Sequence, residues 1–419
     1  MEIPDIINFE EVIRDVIPSG KKFVRCEKAF LTAPGENYAS LMLGLTTVIQ
    51  DKGNGDSKEE KIHSVAKLLA PCEFMRQFMN IPYTVRNELA FYQTIVPTLR
   101  NFQKQQGSSK SLQFLPDFHG GRLGLDKSKN TLDEHAILIL ENLKVPGYVL
   151  MDNELGLDLE TTKLILSKMA ELHGAFIALR ETKKDVFEKK LLPYFDEFEI
   201  FQMAKNDGFM TCDVVVNAIT DIIREDKQCS PYMDRIQKII KSCVTNLHLP
   251  KNSAKFRQHV FASLIHDDLW VNNIMVKTHL NKVVDVKLVD WQLYEYGSVV
   301  EDILFFVCSS AQHDVLKDRF DDLFKFYHEN LIDNLIELKC DVEKFSFDEF
   351  QKEMKTVASE TAFFYMMMAL PSIFPTGDNV LEVHEINREG MLRQVTQASD
   401  IGKRRIGLIT YKFIEKGWI

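Results

Sequence analysis

The tightest constraint on this chain lies between Leu264 and Trp291. Leu264-Ile265-His266-Asp267-Asp268-Leu269-Trp270-Val271-Asn272-Asn273-Ile274-Met275 sets a polar, acid-rich stretch between apolar residues. Leu288-Val289-Asp290-Trp291 then ends a second apolar run on another acid. Short apolar runs bounded by polar clusters read as buried strands, so Phe256 to Leu293 is expected to be strand, loop, strand. His266, Asp268 and Asn273 form an H-x-D-x-x-x-x-N pattern. With three fixed positions that pattern alone is weak; its weight comes from Trp270, Asp290, Gly297 and Asp302 standing in step with it.

The rest of the chain divides by periodicity. Up to about residue 140 it reads as strand-rich with one strong helix. Ala39 to Gln50 is apolar and β-branched and ends in the turn cluster Asp51–Asp56, and Lys61 to Leu69 resumes as a strand. Val85, Leu89 and Tyr92 recur at helical spacing, Gln103 to Ser111 reads as a polar surface loop, and Ala136 to Leu140 as a short buried strand. Beyond that point helices dominate. Ile165, Met169, Leu172, Phe176 and Leu179 mark one, Phe320 to Leu331 a second, and a third lies between Phe347 and Leu370. The expected fold is α+β, with a small sheet-rich lobe over residues 1–140 and a larger, mostly helical lobe over 141–419.

Charge and composition narrow the partners. Asp and Glu number 61 against 51 Lys and Arg, a formal net charge of -10 that disfavours a nucleic-acid partner. The most apolar late stretch, Phe363 to Phe374, contains Pro371 and is shorter than a membrane span requires. The start lacks a basic region followed by an apolar run, so no secretory signal is read. Seven scattered cysteines without a C-x-x-C pair fit a reducing compartment, and the cytosol is the expected location. The oligomeric state is not legible.

Phosphoryl transfer needs an acid to orient the attacking hydroxyl and oxygen ligands to hold Mg²⁺ against nucleotide phosphates. An Asp on a loop, an Asn shortly after it and an Asp ending a strand supply those groups. With Asp290-Trp291-Gln292 and Asp302-Ile303-Leu304 following, the chain resembles the ecdysteroid-kinase-like family, a choline/aminoglycoside-kinase-like branch of the protein-kinase fold. That family carries a motif close to H-G-D-L-W-x-N-N-I-M and then D-F/W-Q. Gly35-Glu36-Asn37-Tyr38-Ala39-Ser40 looks like its nucleotide-covering turn, and Lys67, after Val65-Ala66, like its phosphate-binding lysine. Glu88 with Phe91-Tyr92 and Pro97 looks like its helix motif, although Asn87 precedes the glutamate. Leu140-Glu141-Asn142-Leu143 resembles the hinge.

The resemblance implies a bilobal protein-kinase-like fold and a small-molecule kinase using ATP and Mg²⁺. It makes Asp268 the catalytic aspartate, with His266 and Asp302 supporting the loop, and Asn273 and Asp290 the metal ligands. Lys67 paired with Glu88 would contact the α- and β-phosphates, and the backbone of Glu141 and Leu143 the adenine edge. Gly35, Asn37 and Ser40 would lie over the phosphates. The acceptor it implies is a hydroxylated small molecule, an ecdysteroid or another steroid-like or xenobiotic alcohol. The alternatives are a choline- or aminoglycoside-type acceptor, and a ligand-binding pseudokinase. Phe195, Phe198, Phe201, Met203 and Phe209 could line an acceptor pocket but read more simply as helix core, as do His173, Trp291 and Met366-Met367-Met368. Asp267 stands where the family has Gly. If that Gly has positive φ, Asp costs some strain there, and its carboxylate would raise the pKa of Asp268 by repulsion. No catalytic group is lost, so an active enzyme is expected.

Overall fold

The apolar, β-branched run that begins at Ser40 forms the second strand of a five-stranded antiparallel sheet in the computed structural model. The structure describes residues 3–31, 40–52, 58–69, 73–78, 80–126, 128–129, 131–152, 155–195, 213–246, 259–376 and 387–419. The sheet takes β1 (Lys21–Phe30), β2 (Ser40–Asp51), β3 (Glu60–Leu69), β4 (Phe118–Arg122) and β5 (Ile137–Glu141) in the order β1-β2-β3-β5-β4. Leu43, Leu45, Ala66, Ile137 and Ile139 form a separate small core at this sheet.

Helix α1 (Ile81–Ala90) starts with Pro82, whose fixed φ and missing N–H suit a first turn. It runs through a π turn (Phe91–Ile95) into α2 (Val96–Gln106), which Gly107 ends at φ +83°. The expected loop from Gln103 is therefore helix for one more turn, and Gln103 itself is buried. Helix α3 (Leu159–Thr182) is capped by Asp158, whose carboxylate accepts the Thr161 N–H at 2.8 Å. Every residue from Met169 to Leu179 in it is buried, so it threads the core instead of presenting one apolar face.

The remaining body is helical: α4 (Asp213–Glu225), α5 (Met233–Asn246), α6 (Val299–Ser310), α7 (His313–Asp318), α8 (Phe320–Glu337), α9 (Phe347–Val357), α10 (Phe363–Ile373), α11 (Arg388–Thr396) and α12 (Asp400–Glu415). One large core joins these helices to α3. The apolar pattern from Phe347 to Leu370 is two helices joined by a π turn at Ala358–Ala362. The methionines 366 to 368 are packed core. No helix among the described residues is long and apolar enough to cross a membrane.

Two small sheets are built mainly from the segment between α5 and α6. Strand β7 (Ala262–Ile265) pairs with β10 (Glu295–Ser298), and β8 (Ile274–His279) lies between β6 (Val149–Leu150) and β9 (Lys282–Leu288). The expected strand-loop-strand is thus strand, loop and hairpin. The hairpin turn is Leu280-Asn281 at φ +50° and +59°, a mirror-image turn that normally carries Asn-Gly, so its usual signature is missing. Leu280 is 84% exposed and gains little from packing. Leu280→Asn, which tolerates this backbone region better, should raise stability by about 0.5–1 kcal/mol in urea unfolding.

Candidate active site

Strand pairing brings the acidic residues together. β7 is fully buried and held by β10 in a register that sets Ser263 against Gly297, where a Cβ would come within 2.7 Å of Ile265 Cδ1. The loop from His266 leaves β7 and enters β8 at Ile274, which pairs with Leu288 of β9. Asp290, two residues beyond that pair, therefore returns beside the loop. The Val289 N–H donates to the Asn273 carbonyl at 3.0 Å and fixes the approach. The Asn273 Nδ2 donates to the Asp268 carbonyl at 2.8 Å and its carboxylate at 3.2 Å. Neither bond uses the Asn273 Oδ1.

Lys67, in β3, crosses from the sheet to this loop. Its Nζ donates to Glu88 Oε2 of α1 at 2.7 Å and to Asp290 Oδ1 at 2.5 Å. Burial alone would depress the Lys67 ammonium, but the Asp290 and Glu88 carboxylates outweigh it and hold it above its ordinary range. Glu88 is pushed up to about 7 by burial, with Lys67 opposing and Asp290 adding to the rise. Asp268 is held well above the usual carboxylate range by burial and by the charges of Asp290 and Asp267. A cation arriving among these carboxylates would relieve that repulsion. Among the described residues no three His, Cys, Asp or Glu side chains are grouped to hold a metal. A magnesium–nucleotide site needs only one or two protein oxygens, the phosphates supplying others, and Asn273 with Asp290 fits that donor set.

Asp302, near the start of α6, anchors the loop from below. It is 2% exposed and accepts the backbone N–H of His266 at 2.7 Å and of Asp267 at 2.8 Å. His173 Nε2 of α3 lies 3.2 Å from the same carboxylate, and its Nδ1 lies 2.7 Å from the Tyr327 hydroxyl. Burial works against the Asp302 anion, yet the His173 hydrogen bond and neighbouring charges keep it below its usual range. His266 Nε2 bonds the Val289 carbonyl at 2.9 Å, and its ring lies against Trp291, which in turn stacks on Phe91 at 4.3 Å. His266 thus ties the loop to the segment that leads from β9 to Asp290, while Trp270 is only half-buried.

Asp267 has φ +62°, the left-handed conformation that favours glycine. Asp tolerates this region better than most residues, and a β-branched side chain does not. Asp267→Gly should therefore stay within about 1 kcal/mol of the parent in urea unfolding, while Asp267→Val should lose about 2 kcal/mol or more. Equal stability of the two variants would mean that the backbone at 267 is not held in this conformation.

Glu141 ends β5; its N–H donates to the Asp117 carbonyl at 2.8 Å, and the Leu143 carbonyl accepts the Tyr148 N–H at 3.0 Å. Neither bond uses the Glu141 carbonyl or the Leu143 N–H. Ser40 is buried at the start of β2 and shares a small cavity with Lys67, Glu88, Leu138 and Gln292. Gly35 and Asn37 lie outside the described residues, as do Phe198, Phe201, Met203 and Phe209. Phe195 is packed among Phe176, Tyr294 and Tyr296, which is the core role. Two residues near the site were not singled out from sequence. Asn87 is buried, with its Nδ2 3.4 Å from the Gln292 carbonyl, and Gln292 Nε2 reaches Asp290 Oδ2 at 3.3 Å. The signals available were Asn87's place directly before Glu88 and Gln292's place in the Asp290-Trp291-Gln292 motif.

The ecdysteroid kinase-like family model matches residues 34–340. No curated protein sequence matches the chain. Among solved structures, a choline kinase from Cryptosporidium parvum Iowa II is similar at 12% identity and a TM-score of 0.42, over 97% of this chain and 93% of that one. The family match takes in β2, Lys67, Glu88, the loop of Asp268 and Asn273, Asp290 and Asp302 in a single run, which is most of the chain. The chain belongs to the ecdysteroid kinase-like family, and it is a small-molecule kinase acting on an alcohol group.

Proposed function

We propose that the chain transfers the γ-phosphate of ATP to a hydroxyl of an ecdysteroid or another steroid-like or xenobiotic alcohol, in the cytosol. The observation that carries the site assignment is the Lys67 ammonium bridging Glu88 of the sheet lobe and Asp290 beside the Asp268 loop. Family membership implies ATP and a divalent metal. The lobes divide at about residue 140, with nucleotide between them. Glu141 and Leu143 present a backbone carbonyl and N–H to the adenine edge. Gly35, Asn37 and Ser40 belong to the segment over the phosphates. Lys67, positioned by Glu88, neutralises the α- and β-phosphates.

Asn273 and Asp290 hold Mg²⁺, which supplies charge neutralisation on the phosphates. Asp268 orients the acceptor hydroxyl in line with the γ-phosphorus and accepts its proton. His266 and Asp302 touch neither substrate; they set the backbone from which Asp268 projects. Positioning and electrostatics carry most of the rate.

The test is an ADP-release screen over ecdysteroids, other hydroxylated steroids, detoxification alcohols, choline, aminoglycosides and peptides. Turnover is expected on steroid-like or xenobiotic alcohols and not on peptides. Turnover confined to choline or aminoglycosides overturns the acceptor assignment. Absence of turnover on every class, with magnesium–nucleotide binding intact, replaces catalysis by ligand binding.

A further inference from the structure

Far from the catalytic loop, α12 carries a buried cation without a counter-charge among the described residues. Arg405 is 4% exposed, and its Nη1 is buried with no hydrogen-bond partner among the described residues. Its guanidinium sits 5.6 Å from the centre of the Phe374 ring, beside Cys308 in the last turns of α6. Cys308 lies on the order of 10 Å along that helix from Asp302, so this is a separate place in the fold. No carboxylate among the described residues is paired with Arg405.

Burying an unpaired charge costs several kcal/mol, and proteins meet that cost with a counter-ion, a hydrogen-bond network or loss of the proton. Burial draws Arg405 down to about 10, which leaves it fully charged at neutral pH. Its surroundings add positive charge. The neighbouring Arg404 is exposed on α12, and α7, packed against α12, brings exposed His313 and Lys317. His313 is depressed by burial and then by Arg405, Arg404 and Lys317, with Asp314 opposing. The group is net cationic, with its deepest member unsatisfied among the described residues.

We infer that Arg405, Arg404, Lys317 and His313 form a binding site for an oxyanion, a phosphate or carboxylate group, distinct from the nucleotide site. A planar guanidinium favours bidentate oxyanions over a spherical ion, and the exposed cations would draw the ligand inward. The inference does not depend on the acceptor or on Asp268.

The experiment titrates inorganic phosphate, acetate and chloride at matched ionic strength against the thermal midpoint of the full chain. A saturating magnesium complex of a non-hydrolysable ATP analogue occupies the nucleotide site throughout. Phosphate or acetate is expected to raise the midpoint where chloride does not, and whichever acts at lower concentration identifies the preferred group. The surface variant Arg404→Ala/Lys317→Ala should weaken the half-effect concentration about tenfold while folding normally, and Arg405→Met should abolish the shift. An equal shift with chloride, or a full oxyanion shift in the double variant, overturns the site. If Arg405→Met does not fold, the double variant decides alone.

Discussion

Asp268→Asn should lower kcat by about 10²–10⁴-fold, the range supplied by a positioned proton acceptor, while leaving ATP affinity nearly unchanged. The substitution keeps side-chain size and an acceptor oxygen for the Asn273 Nδ2, and it removes only the anion. The protein should also become more stable. Asp268 is held above the usual carboxylate range by burial and by Asp290 and Asp267. A carboxyl whose folded pKa lies above its unfolded value destabilises the fold once pH exceeds the unfolded value, about 3.9. At pH 7 that penalty is in force, and the neutral amide escapes it. A lower kcat with a higher thermal midpoint is the signature of a site that keeps destabilising charge for function. Turnover within tenfold of the parent, measured by ADP release on the acceptor found in the screen, would refute the role given to Asp268.

How much of this was readable from sequence depends on how local the determinants are. The assignment of Asp268, Asn273 and Asp290 to one site came from the motif spacing of the family the chain resembles; the pairings that bring them together, β7 on β10 and β8 on β9, join runs that the sequence pattern alone does not match up. The Lys67–Glu88 pairing came from the resemblance, and the structure makes it with a lysine on the third strand and a glutamate on α1. The left-handed backbone at Asp267 was legible from the glycine the family places there. The extra hairpin was not, because Leu280-Asn281 stands where the usual Asn-Gly type of turn would announce the reversal. Gln103 was read as surface because polar side chains usually are, whereas the helix continues to its Gly107 cap and buries it. The partners of Asp302 were out of reach for a different reason. His173 is 129 residues away, on a helix whose apolar pattern explains it fully as packing. Nothing local distinguishes a histidine that fills space from one that bonds a distant acid.

That distant bond sets the second large effect. Asp302→Asn should destabilise the fold by about 3–5 kcal/mol, the range for breaking a buried charged network. Two backbone N–H groups, of His266 and Asp267, converge on its carboxylate, and His173 approaches the same oxygen as one of them. An amide has one acceptor oxygen; its NH₂ must face a buried donor, and each group left unsatisfied costs about 1–3 kcal/mol. The difference should depend on pH with a definite sign. Asp302 is depressed in the folded protein, so its contribution is complete above the unfolded value near 3.9 and fades as pH falls through the lower folded value. Parent and variant should therefore converge in strong acid and differ by a constant amount between pH 6 and 8. Catalysis should fall as well, because the peptide units that Asp302 holds are those from which Asp268 projects. A positioning role predicts reduced kcat in the folded variant with ATP affinity retained. A variant less than 1 kcal/mol below the parent in urea unfolding, with kcat unchanged, would show that Val289 and Trp291, acting through His266, hold the loop without it.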